Sequence, residues 1–119
     1  MRKVFYLSTC STCSRILKEW DLLSSIELQN IKENLYTESE VDEMKKMVGS
    51  YEALFSKKSM KYKAWDVKEK IHGDTDYREF LMKDYTFLKR PVLVYDNHIF
   101  VGNSKDNVEK AKQFLSTLR

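Results

Sequence analysis

The chain opens on a junction that leaves little choice of fold. Four apolar residues, Val4-Phe5-Tyr6-Leu7, are followed after a short polar break by apolar residues at Cys13, Ile16, Leu17, Trp20 and Leu23. A short continuous apolar run bounded by small polar residues suits a buried strand. Apolar residues recurring every three or four positions mark the buried face of a helix. Ser24-Ser25 then interrupt the pattern, and Ile26 to Ile31 can form a second strand. A strand, a helix and a strand in so few residues make a right-handed parallel βαβ unit. Such a unit commits the chain to a sheet with helices packed on it.

The remainder is consistent with one such sheet. From Ser39, a helix capped by that serine is expected through Val48, with Val41, Met44, Met47 and Val48 inward and Gly49 as its stop. Ser50 can cap a short helix carrying Ala53, Leu54 and Phe55, and Met60 to Ile71 repeats a helical pattern weakly. After His72-Gly73-Asp74, Thr75 or Asp76 is expected to cap a helix with Tyr77, Phe80 and Leu81 inward. Val92 to Tyr95 and His98 to Val101, joined by Asp96-Asn97, read as an antiparallel hairpin. Gly102-Asn103-Ser104 leads into a last helix with Val108, Ala111, Phe114, Leu115 and Leu118 on one face. The order βαβ, helical middle, ββα is an α/β arrangement of the thioredoxin type. It predicts a mixed four-stranded sheet in a single domain over residues 1–119, enlarged by a helical insertion at about 35–85.

Composition narrows the classes. With 42% apolar residues and 13% aromatics, the chain can build a core without staples, and two cysteines cannot make a disulfide scaffold. No apolar stretch is long enough for a membrane span, and the amino end lacks a signal-peptide core, so a cytoplasmic protein is expected. The net charge of +3 is spread among both signs rather than gathered in a basic stripe, which argues against direct nucleic-acid binding.

Both cysteines fall in one C-x-x-C, Cys10-Ser11-Thr12-Cys13, directly after the first strand and at the start of the helix. A helix N-terminus presents unpaired N–H groups and partial positive charge, which favours a thiolate over a thiol. Cys10 is therefore the expected nucleophile. Cys13, one turn on, is placed to attack a mixed disulfide formed on Cys10. Two other readings stay open: half of a zinc site, although His72 and His98 lack ligand spacing, and a pair of inert buried cysteines. Pro91, the single proline, starts a strand; it is either an ordinary strand-start proline or the second residue of a cis peptide that turns Arg90 toward the cysteines. Arg90 is either a surface charge or a clamp for an oxyanion or a sulfur anion. Arg15, early in the cysteine helix, and Lys57, within Ser56-Lys57-Lys58, are further candidates for binding an anionic substrate. His98 beside the hairpin turn reads as an exposed turn residue.

Four segments together resemble the ArsC/Spx family: the strand with Cys10-Ser11-Thr12-Cys13, Ala53-Leu54-Phe55-Ser56-Lys57-Lys58, Phe87-Leu88-Lys89-Arg90-Pro91-Val92-Leu93-Val94, and Phe100-Val101-Gly102-Asn103-Ser104. That family holds arsenate reductases of the glutaredoxin-coupled type and the Spx redox regulators. The resemblance implies a thioredoxin-like (glutaredoxin-like) fold, a nucleophilic Cys10, a cis Pro91 and an anion-contacting Arg90. Of the three arginines that such reductases gather around the cysteine, Arg90 matches one. Ser56 with Lys57, and Val101-Gly102-Asn103, stand at the other two places.

On the enzyme side, the resemblance implies attack of Cys10 on a small oxyanion or a disulfide. Resolution would come from Cys13 or from an external thiol (glutathione with glutaredoxin, or a thioredoxin-like protein), with no bound cofactor and no metal. On the Spx side, it implies a redox switch that binds the RNA polymerase α subunit, with Gly49 in the contacting surface.

Overall fold

The opening apolar run forms β1 (Arg2–Tyr6), the periodic stretch α1 (Ser11–Trp20) and the next run β2 (Glu27–Asn30). The structure is a computed structural model and describes residues 1–119. Further along lie α2 (Glu38–Val48), α3 (Met60–Ala64), α4 (Val67–Lys70) and α5 (Asp74–Lys83), then β3 (Val92–Tyr95), β4 (His98–Val101) and α6 (Lys105–Ser116). Single 3-10 turns occupy Glu52–Leu54 and Tyr85–Phe87.

β1 and β2 run parallel, from Lys3 opposite Glu27 to Tyr6 opposite Asn30, as the βαβ reading requires. β3 pairs antiparallel with the other edge of β1, and β4 antiparallel with β3, giving the order β2-β1-β3-β4. This is the mixed four-stranded sheet expected from the sequence. The hairpin turns at Asp96-Asn97, with Asp96 in the left-handed region at φ 52°. Its carboxylate meets Arg2 at 3.1 Å.

The chain divides into two compact units, Met1–Asn34 with Arg90–Arg119, and Leu35–Lys89. In the first, the core gathers Val4, Ile16, Trp20, Ile26, Leu93, Val108, Ala111 and Leu115. Trp20 is fully buried there, and its indole N–H donates to the Val108 carbonyl at 3.1 Å, which fixes α1 against α6. α6 starts where expected: Ser104 caps it by accepting from the Asn107 N–H at 3.2 Å.

The second unit is the helical stretch expected at about 35–85, and it runs on to Lys89. Ser56 N–H donates to the Phe87 carbonyl at 2.7 Å and Lys89 N–H to the Leu54 carbonyl at 2.8 Å, so the last residues are tied to the middle of the unit. Phe55 and Phe87 stack at 5.0 Å at its centre, with Phe80 and Tyr77 edge-on.

Two helix starts differ from the sequence reading. α2 begins at Glu38, capped by Thr37 and not by Ser39. Thr37 Oγ1 accepts from the Glu40 N–H at 3.1 Å, and Glu40 returns the bond to the Thr37 N–H at 2.9 Å, a reciprocal arrangement Ser39 cannot make. α5 begins at Asp74, ahead of Thr75 and Asp76. The Asp76 carboxylate reaches back to the N–H groups of His72 (2.8 Å) and Gly73 (3.2 Å). The Asp74 carboxylate meanwhile accepts from Tyr51 and Glu52 N–H at 2.9 and 3.0 Å. The weak pattern from Met60 to Ile71 resolves into two short helices, broken where Asp66 turns left-handed at φ 54°. No helix is long and apolar enough to cross a membrane.

The pinning of α1 to α6 through Trp20 makes a measurable demand. Truncation of a large buried aromatic costs about 3–5 kcal/mol, so Trp20→Ala should lower the urea midpoint accordingly at an unchanged slope. A shift worth less than about 1 kcal/mol would show that Trp20 does not hold the two helices.

Candidate active site

Four residues, Leu7 to Cys10, link β1 to α1, and backbone and side-chain bonds hold them in place. Cys10 N–H donates to the Leu7 carbonyl at 3.1 Å. Asn30, at the end of β2, brackets Ser8: its Oδ1 accepts from the Ser8 N–H at 3.3 Å and its Nδ2 donates to Ser8 Oγ at 2.9 Å. Cys10 is the N-cap of α1, in extended backbone at φ −95° and ψ 111°, and its carbonyl accepts the first helical bond from Ser14 N–H at 3.1 Å. Its side chain therefore sits at the positive mouth of the helix, whose first turn holds no acidic residue.

The two sulfurs have opposite environments. Cys10 is partly exposed and Cys13 is fully buried, on the same helix face as Ile16 and Trp20. Partial burial raises the Cys10 pKa, but the backbone N–H of Cys13, the Cys13 thiol, the Arg90 charge and the Thr12 N–H outweigh it. The net effect holds the Cys10 thiol below its ordinary value. Cys13 is pushed up to about 11, first by burial and then by the Cys10 charge and the bond to it, against the opposing pull of the Leu7 N–H and Arg90. The pair thus sets a thiol that ionises more readily than a free one beside a thiol that holds its proton and donates to the anion when it forms.

Arg90 and Pro91 belong to the same unit, and the peptide between them is cis. Pro91 also stands directly before β3, so both open readings of that proline apply to it. Its carbonyl accepts from the Gly102 N–H at 2.8 Å, and Gly102 lies at φ 92°, a conformation that favours glycine. Arg90 is half-buried with its Nε atom fully covered, and its charge acts on both sulfurs. The bland reading of Arg90 as a free surface charge is therefore set aside.

The remaining candidates are placed otherwise. Arg15 is exposed on α1 and lines a depression with Asn103 and Lys105. Lys57 belongs to the second unit, where its ammonium meets Glu52 at 2.9 Å and lies 5.8 Å from the centre of the Tyr77 ring. His98 packs against Phe114 with ring centres 4.4 Å apart. Gly49 ends α2 at φ 105°, its N–H bonded to the Lys45 carbonyl at 2.7 Å, so a left-handed turn accounts for the glycine. No cluster of three or more His, Cys, Asp or Glu side chains is arranged to hold a metal ion.

Residues 5–111 match the sequence pattern of the ArsC family. The chain belongs to the ArsC family. Solved structures agree on the fold. A protein from Streptococcus mutans described as a possible arsenate reductase is 26% identical, with 88% of this chain and 92% of that one covered at a TM-score of 0.71. An arsenate reductase from Vibrio cholerae is 16% identical, with 92% and 98% covered at a TM-score of 0.74. A Bacteroides fragilis protein provisionally described as ArsC-family related is 22% identical, with 93% and 98% covered, also at 0.74. No curated protein matches the sequence.

Within this ArsC-family chain, sequence reasoning missed the backbone donors at the sulfurs, the N–H groups of Thr12 and Cys13 toward Cys10 and of Leu7 toward Cys13. Nothing in residue identity marks a backbone N–H. The Asn30 bracket on Ser8 was missed as well, and it could have been found from the parallel pairing, which brings the end of β2 beside the end of β1.

The asymmetry gives a titration with a definite sign. A thiol whose folded pKa is lowered becomes an anion at lower pH than a free cysteine, which titrates near ~8.5. Absorbance at 240 nm should therefore show one thiolate forming at lower pH than a free cysteine does and a second forming only toward about 11. Cys10→Ser should remove the first step. Cys13→Ala and Arg90→Leu should each raise the first step, because each removes a group that favours the anion. A first step at or above the free value in the unaltered protein would contradict the geometry.

Proposed function

We propose that this ArsC-family protein is a thiol-dependent oxidoreductase in which Cys10 attacks an oxidised substrate and Cys13 resolves the adduct. The observation that carries this reading is the difference between the two sulfurs: a low-pKa, partly exposed cysteine at a helix mouth and a buried, protonated one a turn away. A redox pair needs one sulfur ready to attack and one held back until the first has reacted.

The steps follow from these environments. The Cys10 thiolate attacks one sulfur of a substrate disulfide. The substrate S–S bond breaks, its far sulfur departs as a thiolate that takes a proton from water, and Cys10 holds a mixed disulfide. That reaction removes the negative charge from Cys10, and with it one of the causes that raise the Cys13 pKa. Cys13 then loses its proton and attacks the Cys10 sulfur, the second substrate thiolate leaves, and a Cys10–Cys13 disulfide forms. Two electrons have passed from the pair to the substrate. External thiols return the pair to its reduced form.

Charge favours a disulfide over an oxyanion as the substrate. The Cys10 thiolate already draws on Arg90 and on the helix mouth. The Lys57 charge is matched by Glu52. A dianion such as arsenate, the substrate named for the Vibrio cholerae relative, would meet a single arginine whose charge the thiolate already balances. A neutral disulfide meets no such opposition. The alternative of a regulator bound to RNA polymerase draws nothing from Gly49, whose backbone conformation explains its identity.

Turnover of a low-molecular-weight disulfide should vanish in Cys10→Ser, and Cys13→Ala should accumulate a mixed disulfide visible by intact-mass spectrometry. With both cysteines present, loss of the mixed disulfide should speed up about tenfold per pH unit from neutrality, because the thiolate fraction of a high-pKa thiol rises in that proportion. Retained turnover in Cys10→Ser would end this reading. Arsenate reduction at a rate matching that of disulfides would overturn the choice of substrate.

A further inference from the structure

The whole chain carries a net charge of +3, yet residues 57–70 alone carry +4: Lys57, Lys58, Lys61, Lys63, Lys68 and Lys70 against Asp66 and Glu69. The stretch contains α3 and α4 of the second unit. The even mix of signs along the chain therefore conceals a local excess. Lys57 is balanced by Glu52 at 2.9 Å and Lys61 by Asp84. Lys70 donates to the Trp65 carbonyl at 2.9 Å, which leaves its charge uncompensated. Lys58, Lys63 and Lys68 are exposed and enter no ion pair. The stretch stays positive after both pairs are counted.

The same stretch turns apolar surface outward. Tyr62 packs edge-on against Phe55 with ring centres 6.0 Å apart, Trp65 edge-on against Phe87 at 5.6 Å, and Val67 is fully buried. These three side chains hold the stretch to its unit. Met60, Lys63 and Ala64, spaced to share one face of α3, are all exposed. Of the four large apolar side chains exposed in the chain, two stand here, Met60 at 90% and Trp65 at 37%. An anionic lipid surface matches this combination: its phosphates attract ammonium groups, and its acyl boundary takes up an apolar side chain that projects among them. Nucleic acid matches it less well. Bases stack on open aromatic faces, but the Trp65 ring is flanked by Phe87 and has Lys61 Nζ 5.4 Å from its centre, and Met60 has no ring. An acidic protein would have to offer Met60 a pocket of fixed shape, which a fluid acyl boundary does not need.

We propose that residues 57–70 form a peripheral docking surface for an anionic lipid bilayer, with Lys58, Lys63, Lys68 and Lys70 at the headgroup phosphates and Met60 inserted among the acyl chains. Such docking requires no membrane-spanning segment and is independent of the chemistry at Cys10.

Trp20 is fully buried in the first unit, so a change in tryptophan emission reports on Trp65. Vesicles of phosphatidylcholine mixed with phosphatidylglycerol should shift that emission to the blue and carry the protein down on sedimentation. Vesicles of phosphatidylcholine alone should do neither, and added salt should weaken the binding. Each lysine near such a surface is worth about fivefold in affinity, so Lys58→Gln, Lys63→Gln and Lys68→Gln combined should weaken binding on the order of a hundredfold. Met60→Ser should weaken it about tenfold, and Met60→Leu should retain it. The four altered side chains are exposed, and an unchanged urea midpoint checks that each variant folds. Absence of binding to the anionic vesicles, equal affinity for the two kinds of vesicle, or binding indifferent to these substitutions overturns the proposal. Tighter binding to a single-stranded oligonucleotide or to polyglutamate than to the anionic vesicles overturns it in favour of a nucleic acid or an acidic protein.

Discussion

The placement of one sulfur at the mouth of α1 is the constraint on which the site depends, and it follows from how short the link between β1 and α1 is. Leu7 to Cys10 leave no slack: the Leu7 carbonyl takes the Cys10 N–H, and Ser8 is held by Asn30 from the neighbouring strand. The sheet therefore fixes where α1 begins, and α1 fixes which cysteine meets its free N–H groups. Moving the pair more than a full turn along the chain would put the first sulfur inside the helix, where the N–H groups are already spent on carbonyls.

Burial separates the two cysteines as firmly as the helix does. Cys13 lies on the face that carries Ile16 and Trp20 into the core, so the packing that stabilises α1 also desolvates the second sulfur. The same helix thus lowers one thiol pKa at its end and raises another on its inner face. Arg90 opposes the desolvation at both sites, and its covered Nε atom shows that the guanidinium is itself partly withdrawn from water. A half-buried charge acts more strongly on its neighbours than an exposed one, because less water intervenes.

Much of this was legible in the sequence because it was written in periodicity. The apolar run and the three-to-four spacing gave β1 and α1, and a C-x-x-C between them put Cys10 at a helix start. The Asp96-Asn97 pair between two apolar runs gave the hairpin that completes the sheet. What was not legible depends on contacts between distant segments or on backbone groups. Thr37 outcompeted Ser39 as a cap because of Glu40, a pairing visible three residues downstream once a reciprocal bond is sought. Asp76 was recognised as a capping residue but assigned the wrong position, since its carboxylate reaches backward to two N–H groups. The depression between α1 and α6 had no signature at all: it exists because Trp20 fastens those two helices together, and only then do Arg15 and Lys105 line one surface.

The thiol environments also bear on what such a pair could reduce. A fold that favours the Cys10 anion and the neutral Cys13 thiol stabilises the reduced pair relative to its disulfide. Stabilising the reduced form makes a dithiol a weaker electron donor and its disulfide easier to reduce. In the proposed reaction a substrate disulfide that is strained or joined to a good leaving thiol is favoured over an ordinary structural one. The same poise makes regeneration by a modest external thiol favourable. Fast attack and easy recovery are obtained together, and both come from the charge arrangement at the start of α1.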